Sequence, residues 1–368
     1  MKNIKKICIL TIFLALFFPT VLIAGNTDSG PGSFRAKVIE IVAVQEKARE
    51  DGSTFSQQDL KLIGLDGKWR DKEIAYNGIS DIEVADAKTY QVGDKVFVDA
   101  YADETGETIF YVVDFVRTGY LLFLTAIFVA IVLLVGRWRG LKALLSLAIS
   151  FFIIIKLVLP QILAGRDPFL VSLFGGLLIL AIIIYLTEGF NKKSHLAVIS
   201  VLFSLFITLT LSVIFTKLTR LSGLAQEEAS FLIGLGGSEI NFQGLLLAGF
   251  IIGAIGVLDD IIVGQIEAVE QIKAANPSLS SKDIFRMAYK VGDTHLGAII
   301  NTLFLTYAGA ALPLLLLFII NQESGLTYGR LINTEIVSTE IVRTLVGSVG
   351  VIASMPIATF LAAIRFKR

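Results

Sequence analysis

The chain has 368 residues, of which 54% are hydrophobic and 17% are charged. Ordinary soluble domains carry about 25% charged residues, so this composition and the mean hydropathy of +0.75 indicate a membrane protein. The formal net charge of +0 supplies no basic field for nucleic acid. The single cysteine, Cys8, excludes an internal disulfide and a cysteine-based metal site.

Residues 1–25 have the layout of an export signal. Three lysines, at positions 2, 5 and 6, precede an apolar run that Pro19 interrupts near its end. Leu22 occupies the position two residues before Ala24 where a cleavage site needs a small side chain. A cleaved signal peptide and an uncleaved signal anchor are therefore both open, and either one exports the segment that follows.

Residues 26–117 are polar and carry the pattern of short β-strands. Five runs of alternating or β-branched residues are separated by turn sequences such as Asp66-Gly67. The runs begin at Phe34, Asp59, Glu73, Asp94 and Thr108. This pattern predicts an exported, β-rich, barrel-like domain of the OB-like kind. Interleaved basic and aromatic residues are missing, so we expect a structural or protein-contact module and no nucleic acid.

Residues 118–368 form the predicted membrane domain. Seven apolar runs are each near the roughly 20 residues that cross a bilayer. They lie at 120–136, 141–160, 169–187, 195–216, 242–263, 294–320 and 340–363. The predicted fold is therefore an all-α polytopic bundle of about seven spans after the leader. If every run crosses, the excess of Lys and Arg falls on one side, which assigns that side and the C-terminus to the cytoplasm.

Two connections between the apolar runs are less simple. The run Ala229 to Leu235, within residues 223–238, is too short to cross and can be an outer surface helix or a re-entrant segment. The cytoplasmic loop 264–293 contains a capping box at Ser280 and Asp283 and a helix stop at Gly292. An amphipathic stripe between them predicts an interfacial helix, which either packs on the inner rim or has a regulatory role.

The fifth apolar run leads into four carboxylates on one helical face. At 100° per residue, Asp259, Asp260, Glu267 and Glu270 fall within a sector about 100° wide. Charged groups inside an apolar span are costly and usually mark ion or substrate pathways. The alternative is a helix end that emerges into cytoplasmic water, where acidic residues are ordinary.

The sixth apolar run is the predicted neighbour of these acids because its polar residues start at the same side of the membrane. Its polar candidates are Asp293, His295, Asn301 and Thr302. We expect His295 to lie near Asp259 or Asp260, either as a proton relay or as a structural hydrogen bond. Two histidines in the chain make a His-cluster metal site improbable, so no metal or other cofactor is predicted.

Three glycines precede the acidic pair with helical spacing. Gly249, Gly253 and Gly256 share one stripe, and small residues at this spacing allow helices to approach closely. They are predicted to pack against another helix, within the chain or between copies of it.

Several stretches resemble YibE/F-like multi-pass membrane proteins. They are GLLLAGFIIGAIGVLDDIIVGQIEAVEQI, YKVGDTHLGAIINTLFLTYAGAALPLLLLF, GLAQEEASFLIGLGGSEINFQGLL and, in the β-rich region, YQVGDKVFV. The resemblance implies a bacterial plasma-membrane protein with several spans. It implies no catalytic residue, cofactor or substrate.

Two functions follow from these patterns. The first is a transporter or channel for a cation, a proton-coupled solute or another small molecule, with the acids and His295 along its pathway. The second is a non-transport scaffold or subunit that contacts a membrane-protein partner or forms a homo-oligomer in the lipid bilayer. An enzyme is not expected, because the chain carries no HExxH, P-loop or nucleophile-elbow motif.

Overall fold

The computed structural model describes residues 32–48, 54–80, 88–102, 106–235, 239–323 and 327–366. The predicted leader, whether peptide or anchor, lies outside these residues. The chain divides into two compact units between Val135 and Gly136. The division falls inside the first apolar helix.

The first unit contains a five-stranded antiparallel sheet, as the alternating pattern predicted. The strands are β1 (Ser33–Ala48), β2 (Thr54–Gly64), β3 (Glu73–Asn77), β4 (Lys95–Ala102) and β5 (Thr108–Phe115). Their order is β3-β2-β1-β4-β5. Strand β1 is irregular between Val38 and Glu40 and between Ile41 and Ala43. Such irregularities bend and twist a strand, and the sheet forms a half-barrel.

The core of this unit is built from alternate strand residues. Phe34, Leu62 and Val98 are at most 2% exposed, because period-2 alternation turns them to one face of the sheet. The rings of Trp69 and Phe110 meet edge to face at 4.9 Å. Aromatic pairs in this geometry add stability beyond the area that they bury.

The second unit is helical. The first helix begins before the division, in the last residues of the first unit. The helices are α1 (Thr118–Ile153), α2 (Leu159–Leu163), α3 (Pro168–Glu188), α4 (Lys192–Leu218), α5 (Glu227–Gly234), α6 (Phe242–Ala275), α7 (Ser281–Ala310), α8 (Leu312–Glu323), α9 (Tyr328–Ile332) and α10 (Glu335–Arg365). A π-helical turn over Ile154–Val158 joins α1 to α2. Helix α5 has 8 residues, about 12 Å of rise, which is too short to cross a bilayer.

Five helices in the described part of the chain are long and apolar enough to cross a membrane, where the sequence predicted seven spans. They cover residues 118–163, 168–188, 192–218, 242–275 and 335–365. The first of them contains two predicted runs. Arg137 has φ 46° and ψ −121° inside it, so the helix is interrupted where the sequence placed the connection between these runs.

The sixth predicted run, 294–320, is not one of these five helices. Its residues are shared between α7 and α8, which meet at Ala311. Pro313 is the second residue of α8, a position where proline is tolerated because its missing N–H has no partner in the first turn. The helix thus changes just before Pro313.

Helix α6 is at the centre of the second unit and packs against α3, α4, α7 and α10. Ile251, Leu258 and Ile262 of α6 are fully buried. Close approach between the helices occurs at several glycines outside α6. A side chain at Gly176 would meet Ile255, and one at Gly350 of α10 would collide with Thr208 of α4.

Helix α4 presents buried hydroxyl groups to this packing. Ser200, Ser204, Thr208 and Ser212 are at most 2% exposed. Each donates a hydrogen bond to the carbonyl oxygen four residues earlier, at 2.8–3.0 Å. Small hydroxyl residues are favoured where helices pack in membranes. They allow close approach, and their hydroxyl groups can hydrogen-bond to the backbone of their own helix.

Candidate functional site

A cavity of about 410 Å³ lies between α6, α7 and α10. Its wall includes Asp260, Gln265, Glu267, His295, Ile299 and Met355. Two carboxylates, a carboxamide and an imidazole therefore converge on one mostly aliphatic space. The sequence predicted that Asp259 or Asp260 lies near His295, and the structure brings Asp260 and His295 to this cavity.

Helical spacing explains why these side chains share a wall. On α6, Asp260, Gly264, Glu267 and Gln271 follow each other at three or four residues, so they form one stripe. On α7, His295 and Ile299 are four residues apart and face the same space. Each helix contributes about two to three turns to the cavity.

The predicted capping box is confirmed at its N-cap residue, Ser280, which starts α7. The Ser280 hydroxyl accepts a hydrogen bond from the amide of Asp283 at 3.2 Å and donates one to its carboxylate at 2.5 Å. Helix α7 then continues through Gly292, so the predicted helix stop at Gly292 is wrong.

Gly292 has a packing role instead. A side chain at Gly292 would lie 2.8 Å from both polar atoms of the Gln265 carboxamide and from Met355. Gln265 is 5% exposed, and its Nε2 donates a hydrogen bond to the Ala288 carbonyl at 2.7 Å. The absence of a side chain at Gly292 therefore lets α7 dock on Gln265 of α6, and this contact outweighs the local tendency of glycine to end a helix.

The two aspartates occupy different environments. Asp259 is half-buried, and its Oδ1 is buried without a hydrogen-bond partner among the described residues. Asp260 is exposed and lines the cavity. Within the described part of the chain Asp260 has no ion-pair partner. The uncompensated carboxylate of the cavity is thus Asp260.

The other two acids of the predicted stripe are paired. Lys193 of α4 contacts Glu267 at 2.7 Å and also forms an ion pair with Glu270. The second oxygen of Glu267 accepts a hydrogen bond from Gln271 at 2.7 Å. The stripe is therefore not four free carboxylates, because Glu267 and Glu270 both pair with Lys193.

The remaining predicted residues of α7 lie away from the cavity wall. Asp293, Asn301 and Thr302 are exposed. The Thr302 hydroxyl donates to the Ala298 carbonyl at 2.9 Å, which is an intrahelical bond. Asn301 lies roughly 160° around the helix from the buried Leu303, so it points away from α6.

The predicted packing of the α6 glycines is not found among the residues that the structure describes. Gly249, Gly253 and Gly256 are exposed, and a side chain at Gly249 or Gly256 would meet open space. Only Gly253 has a near neighbour, since a side chain there would lie 3.9 Å from the Tyr307 hydroxyl. The α6 neighbours instead pack on its Ile and Leu side chains, which occupy the other faces of the helix.

Among the described residues, no group of three or more His, Cys, Asp or Glu side chains is placed to hold a metal ion.

The family model of YibE/F-like proteins matches residues 124–368, well over half of the chain. The chain belongs to the YibE/F-like family. No curated protein and no solved structure gave a match. Together with the five apolar helices, the family indicates that this YibE/F-like protein is a membrane protein. The match begins after the β-sheet, so it does not extend to the predicted exported domain.

Two features of this YibE/F-like protein were missed by sequence reasoning. Gln265 was overlooked because a single glutamine between apolar residues carries no periodic signal. The ion pair of Glu340 with Arg343, at 2.7 Å, lies near the start of α10, and Arg343 also stacks over Phe250 of α6 at 5.5 Å. Its signal was available, since opposite charges three residues apart attract on a helix.

Proposed function

We propose that this YibE/F-like protein is a membrane transporter or channel for a cation or a proton-coupled solute. The observation that carries the proposal is that Asp260, without an ion-pair partner in the described chain, shares a cavity with His295 on a neighbouring helix. Charged groups are retained in membrane helices mainly where they bind or conduct something, because their burial is costly.

The compensation of the other acids supports the choice of Asp260. Glu267 and Glu270 both form ion pairs with Lys193, so their presence is accounted for by the docking of α4 on α6. Asp260 has no such structural role. Its negative charge attracts a cation to the cavity.

The orientation of the chain belongs to the same proposal. Arg137, Arg139, Lys142, Lys192 and Lys193 lie at connections that fall on one side if the predicted spans cross. The positive-inside rule assigns this side to the cytoplasm of a bacterial plasma membrane. The cavity at the end of α6 would then open toward the cytoplasm, with the β-sheet outside.

The test is a flux assay on purified protein in liposomes, with proton, K⁺ and Mg²⁺ gradients applied in turn. We expect Asp260→Asn to abolish the flux that the wild type supports, while Asp293→Asn, an equal charge change outside the cavity wall, leaves it intact. A wild type without any of these fluxes, or an Asp260→Asn variant with full flux and normal folding, contradicts the proposal.

The alternative is a subunit or scaffold of a membrane complex, and the β-sheet supplies the observation that favours it. Ile109, Tyr111 and Val113 on β5 are each 41–51% exposed, beside Tyr101 of β4 at 57%. Contiguous exposed apolar side chains often mark protein contacts. Purification at stoichiometry with one partner, lost on Tyr111→Ser, would favour this alternative over transport.

A further inference from the structure

The wall of the cavity is unusual for a site that would hold an inorganic ion. Besides its polar groups it contains Ile261, Val291, Leu296, Ile299 and Met355. Such a mixture, mainly apolar with a few placed polar groups, is typical of sites for organic molecules, whose pockets measure about 300–1,000 Å³. The volume of about 410 Å³ lies in this range.

Apart from His295, whose imidazole can both donate and accept, the polar groups of the wall that remain free offer hydrogen-bond acceptors. Gln265 is 5% exposed, and while its Nε2 is engaged by Ala288, its Oε1 accepts no hydrogen bond within the described part of the chain. Asp260 offers a carboxylate without an ion pair. The carboxylate of Glu267 is already occupied by Lys193 and Gln271. The free groups therefore call for a ligand with a positive charge and N–H donors.

We infer that this cavity binds a primary alkylammonium ion, with its ammonium at Asp260 and Gln265 and its chain against the aliphatic wall. This inference rests on the proposed function and names the class of cation that the same cavity recognises. A bare metal ion lacks the ligand cluster that it needs among the described residues. A hydrated metal ion would place its water shell against side chains that cannot accept hydrogen bonds.

The ammonium can come from a free amine or from the amine headgroup of a lipid. Both present the same N–H donors and charge, but only the free amine carries its apolar chain into the cavity on its own. Binding in neutral detergent and in lipid nanodiscs separates the two sources.

The test is calorimetric binding of hexylammonium to the purified full-length protein in a neutral detergent. We expect binding by hexylammonium and none by hexanol, which lacks the charge, by Mg²⁺ and ammonium, which lack the chain, or by trimethylhexylammonium, which lacks the N–H donors. Asp260→Asn should weaken binding about tenfold to a hundredfold, the usual effect of losing a charged hydrogen bond. Asp293→Asn is the matched control and should bind as the wild type does.

A second variant keeps the test independent of the charge change. A side chain at Gly264 would meet no atom within 4 Å, and Gly264 lines the cavity. Gly264→Leu should therefore place its β-carbon without a clash, fill the cavity with the rest of its side chain and abolish hexylammonium binding in a folded protein. Hexylammonium binding that is equal in wild type, Asp260→Asn and Gly264→Leu would be partition into micelles and would overturn the inference.

The remaining outcomes separate this inference from the proposed function. Flux of an inorganic cation that depends on Asp260, without hexylammonium binding, would overturn the inference and leave the transporter proposal standing. Hexylammonium binding that depends on Asp260, without flux of any cation, would overturn the transporter proposal and leave the inference standing. Loss of hexylammonium binding in nanodiscs of phosphatidylethanolamine, but not of phosphatidylcholine, would assign the site to a lipid amine and overturn the free amine as its ligand.

Discussion

The ammonium of Lys193, near the start of α4, lies 2.7 Å from the carboxylate of Glu267 on α6. Glu270, one turn further along α6, pairs with the same ammonium. One lysine therefore joins two helices and pairs with two of the four acids that the sequence placed on one face. Lys193 therefore affects both the charge of the cavity and the packing of α4 on α6.

Replacing Lys193 by methionine should separate these two roles. We expect the free energy of unfolding to fall by about 0.5–1 kcal/mol, because all three side chains are partly exposed and such pairs contribute little. The affinity of the cavity for cations should rise, since Glu267 is released. Denaturation in detergent and cation binding measure the two effects.

The control for Lys193 is a double-mutant cycle with Glu267→Gln. The effects of the two substitutions on stability should be less than additive, because each removes the same ion pair. Additive effects would show that the pair is not formed in the membrane-like environment.

Gly350 of α10 should be intolerant of a side chain. Gly350→Ala places a methyl group against the Thr208 hydroxyl of α4, and Thr208 is held by its own bond to the Ser204 carbonyl. We expect a loss of about 1–3 kcal/mol, typical of overpacking, seen as a lower melting temperature in detergent.

Gly249→Ala of α6 is the matched control for Gly350→Ala. Its methyl group would meet open space, and alanine favours helix over glycine by up to about 1 kcal/mol. Stability should stay equal or increase. A strong loss at Gly249 would mean that its face is covered by another chain, as the small-residue spacing first predicted.

Asp114 should make the first unit sensitive to acid. Hydrogen bonds from Arg117 and Lys88, and from the amide of Phe115, hold the pKa of Asp114 well below its usual value of 3.8. A lowered folded-state pKa means that its contribution to stability is complete above about pH 4 and is lost as the pH falls further. Asp114→Asn should therefore reduce the fall in the free energy of unfolding at acid pH, which is the acid limb of the stability profile.

The fluorescence of Trp69, in the core of the sheet, measures this acid response in full-length protein with Trp138→Phe. Only two tryptophans are present in the chain, so the remaining signal reports the β-sheet. An unchanged acid limb in Asp114→Asn would assign the acid sensitivity to other carboxylates.

Glu335 should hold the loop between α4 and α5. Its Oε1 accepts hydrogen bonds from the amide of Ser222 at 2.5 Å and from the amide of Gly223 at 3.0 Å. Glu335→Ala removes both acceptors, and we expect these amides to lose about 1–3 kcal/mol of protection in hydrogen exchange. Glu335→Gln retains one acceptor oxygen and should lose less; equal losses would point to packing rather than hydrogen bonding.

The sequence was most informative where a pattern is local. All five strands were predicted near their observed positions, because alternation and turn residues are adjacent in the chain. The cap at Ser280 followed from two residues three positions apart. The seven predicted spans correspond to five apolar helices among the described residues, because the first of these helices contains two predicted runs on either side of the non-helical Arg137. The sixth run is not among the five, since α7 ends at Ala310 and α8 continues after it.

The site was less predictable because its geometry depends on residues that are distant in sequence. Helical angles placed Asp260 and Glu267 on one face, but they contain no information about Lys193, 74 positions before Glu267. Glycine spacing predicted contact at Gly249, whereas the close approaches in the structure occur at Gly176, Gly292 and Gly350. Whether a glycine allows close approach depends on the large side chain opposite it on the neighbouring helix. The spacing of residues in one helix contains no information about that side chain.

The hydroxyl groups of α4 also bear on how the bundle is assembled. Ser200, Ser204, Thr208 and Ser212 find their acceptors in the preceding turn of their own helix. These four hydroxyls therefore stay satisfied when α4 enters hydrocarbon alone, whereas the Thr216 hydroxyl, near the end of α4, has no hydrogen-bond partner among the described residues. At the four positions, insertion of α4 does not depend on the later arrival of α6 and α10, and docking of these helices exchanges lipid for protein without breaking a side-chain hydrogen bond.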